Sequence, residues 1–304
     1  MTIRFDDRVA VVTGAGAGLG RCHALLLASL GAKVVVNDTG GAVDGRGNAK
    51  SVADSVVEEI RAAGGAAVAN YDSVAEPDSA AAIVQTAIDT WGRIDVLVNN
   101  AGMLRDKSFP KMTLEDYTDI VDVHFLGSMY TVRAAWPHMK ERGYGRIVMT
   151  TSVAGTNGNF GQTNYGAAKM AVLGLMNCLA IEGRKNGILC NAISPGALTR
   201  MTEGLIPEDI GRHHHPELVS PAVAWLCSEK CEETATVIQA SAGGYSRLQY
   251  FQTAGVQFDP RETVTVDDFD QAFARINDLS TATPSLLGEL GNAGERLKAL
   301  GLIA

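Results

Sequence analysis

Basic residues are in deficit. The chain carries 26 Lys and Arg against 34 Asp and Glu, a formal net charge of −8. A phosphate-backbone partner needs a positive footprint, so this balance argues against nucleic acid. It still allows an anionic small molecule, which a local basic pocket can hold. Cysteine is scarce and odd in number: Cys22, Cys178, Cys190, Cys227 and Cys231 are scattered along the chain. They read as reduced thiols of an intracellular protein. Cys227 and Cys231 are four residues apart, but no second pair or histidine cluster with zinc spacing accompanies them, so buried thiols and no metal are expected. The internal run His213–His214–His215 lacks a carboxylate pattern and reads as a solvated loop. No apolar run approaches the roughly 20 residues that span a bilayer, so no membrane partner is expected. The opening MTIRFDD has no signal-peptide pattern and the closing GLIA is not a peroxisomal tripeptide, so a cytoplasmic location is expected. No internal repeat or low-complexity segment is evident.

What is present is ordinary in bulk and informative in order. Hydrophobic residues make up 46% of the 304 positions and charged residues 20%, as in a globular protein with a substantial core. From residue 8 onward, short β-branched runs alternate with longer Ala/Leu-rich stretches. VAVV (9–12), KVVVND (33–38), AAVANYD (66–72), IDVLVNN (94–100), GRIVMTTS (145–152) and ILCNAISPG (188–196) read as strands. They are apolar with little alternation, as parallel strands covered on both faces must be. Helix-like stretches lie between them, near 19–30, 49–63, 77–91, 113–142 and 163–185. This rhythm predicts an α/β, Rossmann-type doubly wound parallel sheet with helices on both faces, and ligands at the carboxyl ends of the strands. After about Val237 the rhythm breaks. VIQASAGGY reads as a last strand and turn, and residues 261–304 as two helices separated by a turn at STATP (280–284). The domain is therefore drawn as 1–245, with 246–304 as a helical extension packed on it, because so short a tail cannot easily build a core alone.

The first strand runs into TGAGAGLG, residues 13–20, and then into a helix. Gly14, Gly18 and Gly20, with Leu19 between the last two, allow a tight turn, close approach to a pyrophosphate and helix–sheet packing. The helix N-terminus adds free N–H groups and a positive dipole end. Asp38 closes the second strand, 18 residues beyond Gly20. A carboxylate there accepts hydrogen bonds from both adenosine ribose hydroxyls and repels a 2′-phosphate. Ala15 and Ala17 leave the glycine turn without a basic residue, although Arg21 and Arg46 lie near in sequence. The expected cofactor is NAD; the alternative for Asp38 is a cap on the turn before Gly40–Gly41.

Further motifs follow in order: NNAG at 99–102, Ser152 ending a strand, YxxxK at 165–169, and PG at 195–196 with Thr199 beyond. Together with TGxxxGxG, they make residues 8–245 resemble the short-chain dehydrogenase/reductase family. The resemblance implies an enzyme that moves a hydride between a secondary alcohol and its ketone, with Ser152, Tyr165 and Lys169 in the reaction. Tyr165 and Lys169 share a helix face, within about 5–6 Å at Cβ. A free tyrosine, with a pKa of about 10, is a poor base at neutral pH, and lowering it by about 2–3 units takes about 3–4 kcal/mol. A neighbouring ammonium and the positive nicotinamide ring are both expected to stabilise the phenolate. The phenolate then takes the alcohol proton, and the phenol returns it in the reverse direction. The resemblance further implies that Ser152 holds the reacting oxygen and Lys169 the nicotinamide ribose. Asp72, Ser73 and Val74 would meet the adenine, Asn99, Ala101 and Gly102 the adenosine, and Pro195, Gly196 and Thr199 the nicotinamide amide. Where the family has an active-site asparagine this chain has His124, in HFLG. Its main-chain carbonyl can serve as the asparagine's does. Whether its side chain takes part or is simply a satisfied buried histidine stays open.

Local stretches narrow the resemblance. The insert NDTGGAVDGRGN (37–48), ANYDSV, NNAGMLRDKSF, VHFLGS, GNFGQTNY, EGRK and WLCSEKCEE resemble the dehydrogenase unit of the type 2 multifunctional enzymes of peroxisomal β-oxidation, also described as a 17β-hydroxysteroid dehydrogenase. That implies oxidation of (3R)-hydroxyacyl-CoA with NAD by a free-standing dehydrogenase, since hydratase and sterol-carrier segments are absent. A steroid or other lipid-alcohol dehydrogenase is the runner-up, and a catalytically silent NAD-binding regulator the third reading. Arg105, Lys107, Arg200 and Arg212, placed after strand ends, are candidates for CoA contact. The apolar faces of 113–142 and 163–185 lead to an expected homodimer or homotetramer.

Overall fold

A computed structural model describes residues 2–47, 49–202, 207–288 and 293–303. The chain divides into two compact units, residues 1–247 and 248–304. In the first unit the order is β1 (Val9–Thr13), α1 (Gly18–Ser29), β2 (Lys33–Asn37), α2 (Ser51–Ala62), β3 (Ala66–Asn70), α3 (Pro77–Trp91), β4 (Val96–Asn99) and α4 (Leu114–Val121). It continues with α5 (Gly127–Arg142), β5 (Gly145–Thr150), α6 (Val153–Thr156), α7 (Thr163–Gly183), β6 (Ile188–Gly196), α8 (Glu208–Gly211), α9 (Ser220–Cys227), β7 (Val237–Ser241) and β8 (Gly244–Leu248).

Among the described residues these strands form one eight-stranded sheet in the order β3-β2-β1-β4-β5-β6-β7-β8. Every pairing from β3 through β7 is parallel. Strands β1, β4 and β5 are buried at every position, which explains their unbroken apolar sequence. The expected parallel, doubly wound sheet is the observed one. The two-residue link Ala242–Gly243, with φ of 48° and 80°, turns β7 back on itself. So short a link admits only an antiparallel neighbour, so β8 closes the sheet as a hairpin.

Local chemistry sets most helix ends. Pro77 opens α3 and Gly92, at φ 71°, closes it. Thr113 and Asp116 form a capping box at the start of α4. The stretch 113–142 is not one helix as its sequence reads. Between α4 and α5, residues Asp122–Leu126 form a π-turn. A wide turn of this kind shifts the helix register and re-aims a side chain, and the residue it carries inward is His124.

At the amino ends of the strands, opposite the ligand side, Asp95 is fully buried and wholly satisfied. It accepts from the Val9 amide at 2.9 Å, from Arg8 at 3.1 Å and from Arg93 at 2.6 Å. Arg8 also pairs with Glu229 and lies 3.8 Å over the Tyr144 ring.

The second unit contains a short ladder of β9 (Phe251–Gln252) and β10 (Thr283–Pro284), with α10 (Val266–Ile276) and α11 (Ala293–Ala299). The STATP stretch read as a turn holds a 3-10 turn, Leu279–Thr281, and the strand β10. Thr265 and Asp268 cap α10, and the Phe269 and Phe273 rings meet at 6.2 Å.

Candidate active site

In the strand order, β1 and β4 are neighbours whose connections leave in opposite directions, and a crevice opens at their carboxyl ends. The glycine turn sits there. Gly14 and Gly18 have φ of 63° and 52°, where a side chain is strained. A Cβ on Gly20 would overlap the Gly14 carbonyl oxygen, so helix α1 starts directly against the turn. The N-cap of α1 is Ala17, which offers no side-chain acceptor, and the first turn holds no acid. The helix therefore presents free amides to an anion. Leu19 packs on the main core, and Thr199 faces Gly18 from the far side of the turn. Gly20→Ala is expected to cost about 1–3 kcal/mol by overpacking backbone against backbone. Urea unfolding measures it, and an unchanged midpoint would contradict the packing described.

Asp38 does two things. Its Oδ1 accepts from the Gly40 amide at 2.7 Å, the turn cap weighed above. Its Oδ2 accepts from the Gly16 amide at 2.8 Å, which ties the carboxylate to the glycine turn. Gly16, passed over in the motif, is thus the glycine bonded directly to Asp38. Thr13 and Asn100 were also missed. The Thr13 hydroxyl accepts from the amides of Asn100 and Ala101, both at 3.0 Å, and the Asn100 side chain donates back to the carbonyls of Thr13 and Gly14. The NNAG motif contains Asn100, but only the sheet order shows that it clamps β1 to β4.

The positions carried over from the family divide. Asp72 lies beyond β3, where its carboxylate accepts from Asn70 at 2.7 Å. The Ser73 hydroxyl accepts from the Ala75 amide, and Val74 is buried against Gly127. The Asn99 side chain faces the interior, donating to the Ser128 carbonyl and accepting from Thr131, so a ligand contact at this position would come from its main chain. Ala101 backs Gly14, and Gly102 backs the His124 ring. Pro195 and Gly196 end β6, with Gly196 pressed on Ser241.

On the other side of the crevice, Ser152, Tyr165, Lys169 and His124 come together. Ser152 leaves β5 and caps α6, its hydroxyl accepting from the Ala154 amide at 3.2 Å. Tyr165 stands in the first turn of α7, and His124 meets its ring edge-on with centroids 5.1 Å apart. The Lys169 ammonium lies 5.5 Å over the same ring and donates to the Thr150 carbonyl at 2.7 Å.

The electrostatics differ from the expectation that the ammonium lowers the tyrosine. Burial pushes Tyr165 up to about 12, the Ser152 hydroxyl opposing and Asp106 adding to the rise. Lys169 lies 5.5 Å from the ring centroid, and burial lowers its own pKa to about 7. Without a bound cation the site holds a phenol, not a phenolate.

His124 is 2% exposed, and burial, then Lys169, hold it well below the usual histidine range. Its Nε2 lies 2.8 Å from the Met103 carbonyl and 3.1 Å from the Met103 amide, while Nδ1 has no partner among the described residues. Its main-chain carbonyl accepts from the Ser128 hydroxyl at 2.7 Å. The hydroxyls of Thr150 and Ser194, at the ends of β5 and β6, are buried without partners as well. Unpaired groups at strand ends, a glycine turn pressed against backbone, and an uncapped helix start together fit a dinucleotide.

Of the four proposed CoA contacts, two are held in ion pairs. Arg105 pairs with Asp119 at 2.6 Å, and Lys107 with Asp116 at 2.5 Å. Arg212 donates to the Asp209 carbonyl. Among the described residues Arg200 makes no ion pair. No metal-binding cluster is found among them, and His214 contacts the Ile210 carbonyl. All five cysteines are free, and all but Cys178 are buried. No described helix is long and apolar enough to cross a membrane.

A profile of the short chain dehydrogenase family matches residues 8–209. The peroxisomal multifunctional enzyme type 2 of mouse (Mus musculus) is 51% identical over 282 residues, covering 92% of this chain and 38% of that protein. The structure of full-length peroxisomal multifunctional enzyme type 2 from Drosophila melanogaster superposes with a TM-score of 0.81 at 41% identity, over 98% of this chain and 50% of that one. The chain thus spans half or less of these relatives. A 7α-hydroxysteroid dehydrogenase complexed with NADH and 7-oxo glycochenodeoxycholic acid superposes with a TM-score of 0.72 at 30% identity, over 79% of this chain and 95% of that one. The match spans the glycine turn and the YxxxK helix alike, so the chain belongs to the short chain dehydrogenase family and is an oxidoreductase.

Proposed function

We propose that the protein is an NAD-dependent dehydrogenase that oxidises (3R)-hydroxyacyl-CoA to the 3-ketoacyl-CoA. The reading is carried by the grouping of Ser152, Tyr165 and Lys169 beside the glycine turn, in a chain half identical to a peroxisomal multifunctional enzyme. Tyr165 takes the proton of the substrate hydroxyl and Ser152 donates to the same oxygen. Lys169, whose pKa burial lowers to about 7, stands beside the phenol and binds the nicotinamide ribose. His124, neutral and wedged between Met103 and the Tyr165 ring, positions that ring. Bound NAD supplies the hydride acceptor and a positive ring close to the phenol. Gly14, Gly18, Leu19, Gly20, Asp72, Ser73, Val74, Asn99, Ala101, Gly102, Pro195, Gly196 and Thr199 would line its site.

NAD rather than NADP is favoured because Asp38, which would meet the adenosine ribose, is a carboxylate held by two amides. The nearby cations do not relieve it: Arg21 pairs with Glu59 at 2.5 Å and Arg46 with Asp44 at 3.8 Å. Two copies are proposed to pair through α4–α5 and α7, where Ile181 is exposed. Free thiols support a reducing compartment such as the cytoplasm.

The expected result is a kcat/KM with NAD at least about tenfold above that with NADP, a difference of about 1.4 kcal/mol in transition-state binding. Among substrates, a 3-hydroxyacyl-CoA should exceed a 17β- or 7α-hydroxysteroid. A steroid efficiency above every CoA ester tried would favour the steroid reading, which the hydroxysteroid dehydrogenase relative supports. Arg200 and Arg212 are the remaining cations for CoA phosphates, and reversing their charge should raise KM for the thioester alone.

A further inference from the structure

The loop after β4 is stitched to the approach of α7. The Lys107 amide donates to the Gly161 carbonyl at 2.9 Å, and Asn164 reaches the Arg105 carbonyl. Between these two ties, Gln162 donates its Nε2 to Asp106 Oδ2 at 2.7 Å. Gln162 is 7% exposed, is itself steadied by Asn159 at 2.9 Å, and is the N-cap residue of α7, one turn before Tyr165. The Asp106 carboxylate is therefore anchored at the mouth of the reaction site.

Its charge is not compensated. The two cations flanking it in sequence are drawn away to α4, Arg105 to Asp119 and Lys107 to Asp116. Among the described residues no cation pairs with Asp106. The groups around Tyr165 are Lys169 from its own helix, neutral His124 from the π-turn and Ser152 from the end of β5, with Asp106 of the β4 loop tied to Gln162 one turn before it. Asp106 is the one anion in that set.

We propose that Asp106, held by Gln162, is a fixed negative charge that sets the pH range over which Tyr165 exchanges its proton. An anion beside the phenol disfavours the phenolate, so it keeps the proton on Tyr165 to higher pH. The direction agrees with the rise that Asp106 imposes on Tyr165. Asp106 is exposed to solvent, so screening limits the effect. Asp106 acts through Tyr165 and is a positioning residue. The inference rests on Tyr165 being the acid/base.

The test is the pH profile of kcat/KM for oxidation of an uncharged secondary alcohol, with Asp106→Asn, Asp106→Ser and the charge-retaining Asp106→Glu. Both neutral variants should move the acid limb down by about half a pH unit, the scale of one charge acting across a partly solvated pocket. Asp106→Glu should keep the parent profile. An unmoved or raised limb in the two neutral variants overturns the proposal, and so does a changed kcat without a shift, which marks a purely structural role. Tyr165→Phe is assayed in parallel. Turnover surviving in it would remove the group on which Asp106 acts, and is read separately from the shift.

Discussion

Tyr165→Phe is expected to lower kcat by about 10²–10⁴-fold, the range supplied by a positioned acid/base group. The substitution removes only the hydroxyl. The ring that meets His124 edge-on and packs beside Met103, Ile120 and Ala168 is retained. Thermal stability and NADH affinity should therefore stay close to those of the parent, which separates the chemical role from a structural one. Because the buried phenol stands at about 12, with burial the largest cause, activity near neutrality also depends on positive charge arriving with the cofactor. The oxidation rate should accordingly climb with pH in the parent. Steady-state kinetics and an NADH fluorescence titration check both halves. A variant retaining more than about a tenth of kcat would remove Tyr165 from its role.

Lys169→Met should abolish most turnover and weaken cofactor binding, yet stabilise the ligand-free fold. Lys169 is 3% exposed, and burial lowers its pKa to about 7, against about 10.4 for a free lysine. Between those values the unfolded chain binds a proton that the folded chain does not, so stability rises with pH across that window. Below about pH 7 the folded state carries a buried ammonium at full cost. Methionine removes that cost, a gain on the order of a few kcal/mol at pH 6 that shrinks toward pH 10. The lost bond to the Thr150 carbonyl offsets about 1 kcal/mol of it. Urea unfolding of both proteins at pH 6 and pH 9, without cofactor, measures the difference. A variant less stable at pH 6, or a gain that ignores pH, would show that the ammonium is not strained by its site. A lysine kept at such a cost is what a functional site that trades stability for chemistry would contain.

Several differences between sequence and structure have the same origin. The stretch 113–142 has the composition of a single helix, and nothing local announces the π-turn at Asp122–Leu126. That turn is selected by packing, since it places His124 against Met103 and Tyr165. Arg105 and Lys107 follow a strand end, as a ligand contact would, but α4 presents Asp116 and Asp119 to them. Asn99 and Asn100 are indistinguishable as neighbours in NNAG, and strand alternation sends one into the core and the other to the glycine turn.

By itself the sequence determined whatever depends on near neighbours along the chain. Buried parallel strands need continuous β-branched runs, the turn at 13–20 needs glycine where φ is positive or backbone meets backbone, and a tyrosine and lysine four apart must share a helix face. These signals lie within a few residues of one another, so the sheet, the dinucleotide crevice and the reactive pair were legible. Only the tertiary structure decided the partners that lie far apart. Thr13 meets Asn100 across 87 positions, and Asp106 meets Gln162 across 56. No local pattern encodes such pairs, because the order of the strands sets the distance between them. The state of the reacting groups was decided there too, since desolvation raises Tyr165 and lowers Lys169 only once the chain has closed around them.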